Sequence, residues 1–269
     1  MNIPAVSVIL PAFNCGKYIG RAIESVLRQT FPDFELIIVN DGSTDNTEQV
    51  IQSYSDQRVI YVKNPRNQGL IHSLNRAIEL SHSKYIARMD GDDICLPARL
   101  AKQKLFLDQN QDIAVVASRI EFINELEEKT GDWKLDKQTI TPEQIKRTIL
   151  KENCIAHPTV MMRAEIIKEL KYKPYQKNIE DYDLWLRILS RGHKIAKIDE
   201  PLLLYRVHKN SITGRHLKNA NPYFKHLQMK LKFLSKFGYA GFFSVAVLGS
   251  AMIDLARGIF KSIKESFRE

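Results

Sequence analysis

Residues 6–30 read VSVILPAFNCGKYIGRAIESVLRQT, and the period of their apolar side chains changes partway. Val6 to Leu10 is a short unbroken apolar run suited to a buried strand. Beyond it Ile19, Ala22, Ile23, Val26 and Leu27 recur at helical spacing. The same change then repeats along the chain. FELIIV (Phe34–Val39) is followed by the turn residues Asn40 to Thr44, and Asp45 with Glu48 three residues on marks a helix start. VIYV (Val59–Val62) leads through a polar loop, Asn64 to Gly69, into a helix marked by Ile71, Leu74 and Ile78. Tyr85–Met89 is a fourth strand, and Pro97 opens a helix from about Ala98 to Asn110. IAVVAS (Ile113–Ser118) is a fifth. Strands alternating with helices through short loops predict an α/β fold, a mostly parallel central sheet flanked by helices.

In such sheets ligands bind at the carboxyl ends of the strands. The chemically informative residues gather there. Pro11-Ala12-Phe13-Asn14 follows strand one, Asp41 strand two, and Asn67 and Gly69 strand three. The fourth strand ends in Asp90-Gly91-Asp92-Asp93. Carboxylates this close repel, which raises their pKa values unless a cation neutralises them. A divalent ion such as Mg²⁺ uses one or two carboxylates together with substrate phosphates, a need that Asp90-Gly91-Asp92 meets, with Gly91 letting the backbone approach a ligand closely. An acidic turn facing solvent carries the same letters. Neither GxGxxG nor GxxxxGK[ST] occurs, which argues against dinucleotide-dependent dehydrogenases and P-loop NTPases.

The 269 residues, 44% hydrophobic and 26% charged, can bury a large core. Cys15, Cys95 and Cys154 are few, odd in number and far apart, which fits a reducing cytoplasm without a disulfide framework. No basic segment followed by an apolar one stands at the start of the sequence, so no signal peptide is expected. From Pro201 onward twelve cations face three anions, so the whole net charge of +9 lies in that stretch. Such a tail suits an anionic membrane surface or nucleic acid, and equally a solvated helical face.

Beyond Glu121 the alternation fades. Asn124–Thr141 reads as a loop or hairpin excursion, His157–Met162 as another strand, and Pro201–Val207 as extended chain. Glu180-Asp181-Tyr182-Asp183 precedes a helix carrying Leu184, Trp185, Ile188 and Leu189, and a helical tail is expected from about Leu217. On spacing alone Asp181 is an ordinary acid at a helix N-terminus, Trp185 a core residue, and His157 and His208 structural or surface histidines.

The ordered set of motifs changes that reading. VSVILPAFNCGKYIGRAIESVLRQT, ELIIVNDGSTDNT, NQGLIHSLNRAIELSHSKYIARMDGDD, IEDYDLWLRI and LYRVHKNSIT run from Val6 to about Thr213. Together they resemble the family 2 glycosyltransferases, which have the GT-A fold. The resemblance implies an inverting enzyme that moves a sugar from a nucleotide-diphosphate sugar, a UDP-sugar, to a hydroxyl of a glycan or lipid-linked oligosaccharide in surface polysaccharide assembly, with Mn²⁺ or Mg²⁺. It places Pro11, Ala12, Phe13, Asn14, Asp41, Asn67, Arg88, Asp90 and Gly91 on the nucleotide. Asp41 would accept a hydrogen bond from the base. Asp92, Asp90 and His208 would hold the metal and Asp181 would be the catalytic base, while Asp93 orients its neighbours and His157 stands on the acceptor side. The resemblance divides the chain into a catalytic domain, residues 1–213, with a nucleotide half (1–118) and an acceptor half (119–213), and a tail, 214–269.

Tyr239–Ile253 of that tail is apolar, but Asp254 and Arg257 cut it short of the roughly 20 residues a spanning helix needs. It fits a helix lying in the membrane interface, a peripheral contact on the cytoplasmic face. A helical pair packed on the catalytic domain, or a homodimer contact, explains the same letters. Nucleic-acid binding is not expected, since the tail has neither an RNP-type motif nor a recognition helix. A sugar-1-phosphate nucleotidyltransferase should carry a Gly-rich, Arg-containing loop where PAFNCGKY stands; a carbohydrate-binding protein without turnover would have no need of Asp181.

Overall fold

The computed structural model describes residues 3–176, 178–209, 222–237 and 242–266. In chain order the first half runs β1 (Val6–Ala12), α1 (Ile19–Leu27), β2 (Phe34–Asn40), α2 (Thr47–Gln52), β3 (Val59–Lys63), α3 (Leu70–Leu80), β4 (Tyr85–Arg88), β5 (Ile94–Cys95) and α4 (Arg99–Gln109). The second half runs β6 (Ile113–Ile123), β7 (Lys129–Gly131), α5 (Lys134–Gln138), α6 (Pro142–Ile149), β8 (Met161–Arg163), α7 (Ala164–Leu170), α8 (Glu180–Ser190) and β9 (Lys194–Arg206). Two further helices follow, α9 (Pro222–Phe237) and α10 (Phe242–Ser266).

Nine strands form one sheet in the order β3-β2-β1-β4-β8-β6-β9-β5, with β7 on β6. The first four are parallel, as the alternation predicts. Beyond them β8 runs antiparallel to both β4 and β6, while β6 and β9 are parallel. β1 therefore sits at a switch point, with β2 on one side and β4 on the other, and a crevice opens at their carboxyl ends.

Side-chain alternation builds two cores. Val6, Val8 and Leu10 of β1, with Leu36 and Ile38 of β2, pack against Ile19, Ala22, Ile23 and Val26 of α1. On the other face Ile9, Ile37 and Val39 meet Leu74, Ala77 and Ile78 of α3, in a core that continues to Trp185, Phe233 and Val247. Trp185 is fully buried, so it is a core residue and offers no sugar-stacking face.

Two expectations need adjustment. His157–Thr159 is a single 3-10 turn and strand β8 begins only at Met161, because Pro158 has no N–H for a ladder. The extended segment from Pro201 is the second part of the 13-residue strand β9, whose register against β6 shifts where Arg119 meets Pro201. The Asn124–Thr141 excursion is a short hairpin through β7 followed by α5. The start of the tail near Leu217 and the boundary at residue 213 lie outside the described residues, as do Tyr239 to Gly241. No described helix is long and apolar enough to cross a membrane.

Candidate active site

The crevice at the β1/β4 switch point widens into a cleft of about 2330 Å³. Pro11, Ala12, Phe13, Asn14, Asp41, Asn67, Arg88, Asp90, Gly91, Asp92, Asp181 and His208 all line it. The chain thus brings together every residue singled out on sequence for donor, metal or base.

The nucleotide side is built from loops that hold one another. Asn14 sits in the left-handed region at φ 48°, which its short polar side chain tolerates. Its Oδ1 accepts from the Thr44 N–H (2.8 Å), and its own N–H donates to Ser43 Oγ (3.0 Å). Phe13 projects from this turn half-exposed. Asp41 is buried, and its carboxylate accepts from Asn64 Nδ2 (2.6 Å), the Gln68 N–H (3.0 Å) and the Gly69 N–H (2.8 Å). Asp41 thereby pins the 64–69 loop to β2. Asn67 Oδ1 accepts from the Gly69 N–H as well (3.0 Å), so that exposed loop has a fixed shape. Gly91 is crowded from the side of helix α1: a Cβ there would stand 3.0 Å from Cys15 Sγ and from Ile19 Cδ1.

The acidic turn is internally braced. Buried Arg88 donates through both Nη atoms to the two oxygens of Asp90 (Nη1 at 2.7 Å). Enclosure by protein, with Asp92 as a like charge, still pushes Asp90 up to about 6 against the pull of Arg88. Asp92 Oδ2 lies 2.9 Å from His208 Nε2. Asp93 is buried and accepts the Arg206 N–H at 2.9 Å, while its Oδ2 has no partner. Burial, Asp92 and Asp90 hold its carboxyl well above the ordinary range. Arg206 completes the brace: Nε donates to the Asp92 carbonyl (2.8 Å), Nη1 to the Asn124 carbonyl (3.1 Å), and its guanidinium lies 4.8 Å from the Tyr18 ring centre. The end of β9 is fastened to the acidic turn in this way, and His208 is delivered to Asp92.

Ligand atoms of Asp90, Asp92 and Asp93 lie within 4.8 Å of one another. Hard carboxylate oxygens beside a histidine suit Mg²⁺ or Mn²⁺. Arg88 engages Asp90 and His208 engages Asp92, so each carboxylate of the pair is held by a neighbour at the edge of the cleft. Asp93 lies inside the brace.

Asp181 occupies the first turn of α8. Its Oδ2 accepts from Asn153 Nδ2 (2.8 Å) and its Oδ1 from the Tyr182 N–H (2.8 Å). Burial raises its pKa, and these two hydrogen bonds and Arg88 hold it back. Neighbouring Glu180, also on the cleft, is pushed up to about 7 by burial and by Asp181. His157 stands on the same wall, its Nε2 2.7 Å from the Tyr172 hydroxyl, and burial followed by Arg88 keeps it neutral.

Asn64, Asn153 and Arg206 are residues of this site whose roles the sequence did not announce; each acts by holding another. His226 of α9 and Lys261 of α10 also line the cleft. Only the surplus of cations in the tail hinted at Lys261.

Known proteins resemble this chain in sequence and in fold. Residues 7–171 match the family model described as glycosyl transferase family 2. The O-antigen biosynthesis glycosyltransferase WbnJ of Escherichia coli is 36% identical over 247 residues, covering 89% of this chain and 92% of WbnJ. The E. coli UDP-Glc:alpha-D-GlcNAc-diphosphoundecaprenol beta-1,3-glucosyltransferase WfaP is 31% identical over 214 residues, covering 79% of this chain and 81% of WfaP. Among solved structures, S. aureus TarS 1–349 in complex with UDP-GlcNAc superposes with a TM-score of 0.72 at 19% identity, covering 94% of this chain and 72% of TarS 1–349; it shares the GT-A fold. This chain belongs to the family 2 glycosyltransferases.

Proposed function

We propose that the protein is an inverting, metal-dependent transferase that moves a sugar from a UDP-sugar to a hydroxyl of a lipid-linked glycan acceptor. The observation that carries this reading is that one cleft holds two separate acid sites. One is the braced turn Asp90-Asp92 with His208; the other is Asp181 at the head of α8. Inverting transfer needs that division. The acceptor oxygen attacks the anomeric carbon, its proton passes to Asp181, and the bond from that carbon to the diphosphate oxygen breaks. The raised proton affinity of Asp181 suits a base that must take a proton from an alcohol.

Residues 11–14, Asp41, Asn67, Arg88, Asp90 and Gly91 would receive the nucleotide. With three internal donors already on its carboxylate, Asp41 would act on the base chiefly through the loop it holds. Asp92 and His208, with Asp90 nearby, would hold Mn²⁺ or Mg²⁺. When bound, such an ion supplies positive charge to the departing diphosphate. Residues 1–118 would then serve the donor and 119–213 the acceptor. A lipid-linked acceptor is favoured by the name of WfaP and by the exposed apolar residues of α10, Val245, Leu248, Met252 and Ile259, which would touch a membrane surface peripherally.

The test is a thermal-shift screen of nucleotide sugars with and without Mn²⁺, repeated on Asp181→Asn. One UDP-sugar is expected to stabilise both forms in the presence of Mn²⁺, while transfer by the variant falls about 10²–10⁴-fold. Undiminished transfer by Asp181→Asn, or no stabilisation by any nucleotide sugar, would overturn the proposal.

A further inference from the structure

The second half of the chain gives the cleft an aromatic wall. Strands β6 and β9 lie side by side, with Ile120 opposite Leu203 and Phe122 opposite Tyr205. Alternation along each strand brings these four side chains to one face, where they gather with Ala156. Trp133, the residue that precedes α5, packs on the same cluster. The rings of Phe122 and Tyr205 meet edge to face, with centroids 5.7 Å apart. All three aromatic residues line the cleft and are only half-buried. They differ in this from Trp185, which is fully enclosed in the core. Large rings left partly open to water on the wall of a cleft keep apolar surface that a ligand can cover.

Two short chain segments fix where this wall lies. Asn153, which donates to Asp181, is three residues before Ala156 of the cluster, so their Cα atoms are at most about 11 Å apart. Tyr205 is likewise three residues before His208, the partner of Asp92. The wall is therefore within reach of a sugar ring from both acid sites. Trp133 stands at its outer edge, because β7 and Asp132 just before it are exposed. A donor sugar is tethered through its diphosphate to the carboxyl ends of β1 and β4. The acceptor enters from solvent, past the rim where Trp133 stands.

The geometry points to Trp133, with Phe122 and Tyr205 in the same wall, as the platform on which the acceptor's sugar ring lies while its hydroxyl meets Asp181. A pyranose has a face made of C–H groups, slightly positive at their hydrogens, and the negative face of an indole is complementary to it. Acids and amides elsewhere in the cleft can bind hydroxyls but cannot match that face. Trp133 thus selects a cyclic sugar with a flat C–H face over an acyclic polyol carrying the same hydroxyls. This assignment rests on the transferase reading and names the residue that seats its acceptor.

The platform can be observed directly, because the chain has two tryptophans and Trp185 is sealed in the core. Quenching of tryptophan fluorescence by acrylamide therefore reports chiefly on Trp133. It is measured on the full chain with UDP and Mn²⁺ saturating, so that the donor side is filled and nothing is transferred. The probes are the methyl β-pyranosides of glucose, galactose and N-acetylglucosamine, with acyclic sorbitol as the control. At least one pyranoside is expected to protect Trp133 saturably, and sorbitol is not. Trp133→Ala should weaken binding of that pyranoside about ten-fold, the upper range for one aromatic contact, and Trp133→Phe should restore most of the loss. Affinity for UDP-glucose and UDP-N-acetylglucosamine should be unchanged in both variants. The buried Lys197–Asp136 pair holds α5 independently of position 133, so the alanine variant is expected to fold. Protection by no pyranoside, equal protection by sorbitol, or unaltered pyranoside binding by Trp133→Ala would overturn the assignment. So would a loss of UDP-sugar binding in that variant, which would make the wall a donor site. Because the donor screen is read separately, stabilisation by a UDP-sugar without pyranoside protection would sink this inference and leave the transferase reading standing.

Discussion

Asn153 lies in the loop after α6, yet it sets the proton affinity of a residue on α8. Its side-chain amide donates to Asp181 Oδ2 at 2.8 Å, a bond that favours the charged carboxylate against the burial that opposes it. Asn153→Ala should therefore raise the pKa of Asp181 further. A base works only when ionised, so activity is lost as pH falls through that pKa, and the acid limb of kcat/KM should move to higher pH. A profile superimposable on that of the unaltered enzyme would show that Asn153 does not tune the base. Gly42 offers a second test. It sits at φ +69°, and a Cβ there would come within 2.6–2.8 Å of the backbone of Arg66 and Asn67, which cannot swing away like a side-chain tip. Gly42→Ala should cost about 2 kcal/mol or more in chemical denaturation and weaken donor binding, because it displaces the loop that Asp41 holds. Asp90 and Asp92 could be picked out as letters because a glycine-spaced acid pair after a strand is a local pattern, whereas Asp181 stood out only through the resemblance carried by the ordered motifs. Asn153, 28 residues from Asp181, has no local pattern to betray it.

At the scale of elements, the strands and helices of the first hundred residues were legible because their two faces pack against different layers, so each side chain's period reports its role. The second half was less so, since short pieces there are fixed by long-range polar ties. Lys197 of β9 is fully buried. Its Nζ pairs with Asp136 of α5 and donates to Thr139 Oγ1 (3.3 Å) and the Cys154 carbonyl (3.0 Å), while Asp136 Oδ2 accepts the Ile120 N–H (2.9 Å). A five-residue helix has little stability of its own, so this buried pair anchors α5 and the loop after α6 to the sheet. Lys197→Met should strand a buried carboxylate and cost about 3–5 kcal/mol in urea denaturation. Adding Asp136→Leu should recover much of the loss. If the single change proved neutral, the tie would not be what fixes α5. No reading of Lys197 in sequence could separate it from the solvated lysines around it, because burial with a partner is decided 61 residues away.

At the scale of the whole molecule the same limit decides how the tail is understood. The surplus of cations from Pro201 onward suggested a surface-binding segment, and Asp254 looked like a mere interruption of an apolar run. Instead Lys230 and Asp254 form a fully buried pair between α9 and α10, Lys230 Nζ also donates to Ser250 Oγ at 2.8 Å, and the Ser250 hydroxyl donates to the Leu150 carbonyl at the end of α6. Lys230 also lies 5.8 Å from the ring centre of Tyr182, next to Asp181. Met229, Phe233, Leu234 and Val247 join the core that contains Trp185. Burial of each of the larger of these contributes about 1.5–3 kcal/mol, so the hairpin is a structural part of the catalytic half. A chain ending at residue 209 should lose several kcal/mol, a fall of about 10 °C or more in Tm. Any fraction that stays folded should lose kcat on a water-soluble acceptor more than affinity for the donor, because α8 loses its backing while the loops after β1, β2 and β3 do not. A tail that served only as a membrane anchor would leave Tm and turnover on a soluble acceptor unchanged. Melting and turnover of the shortened chain beside the full one therefore separate an anchor from a wall of the active site.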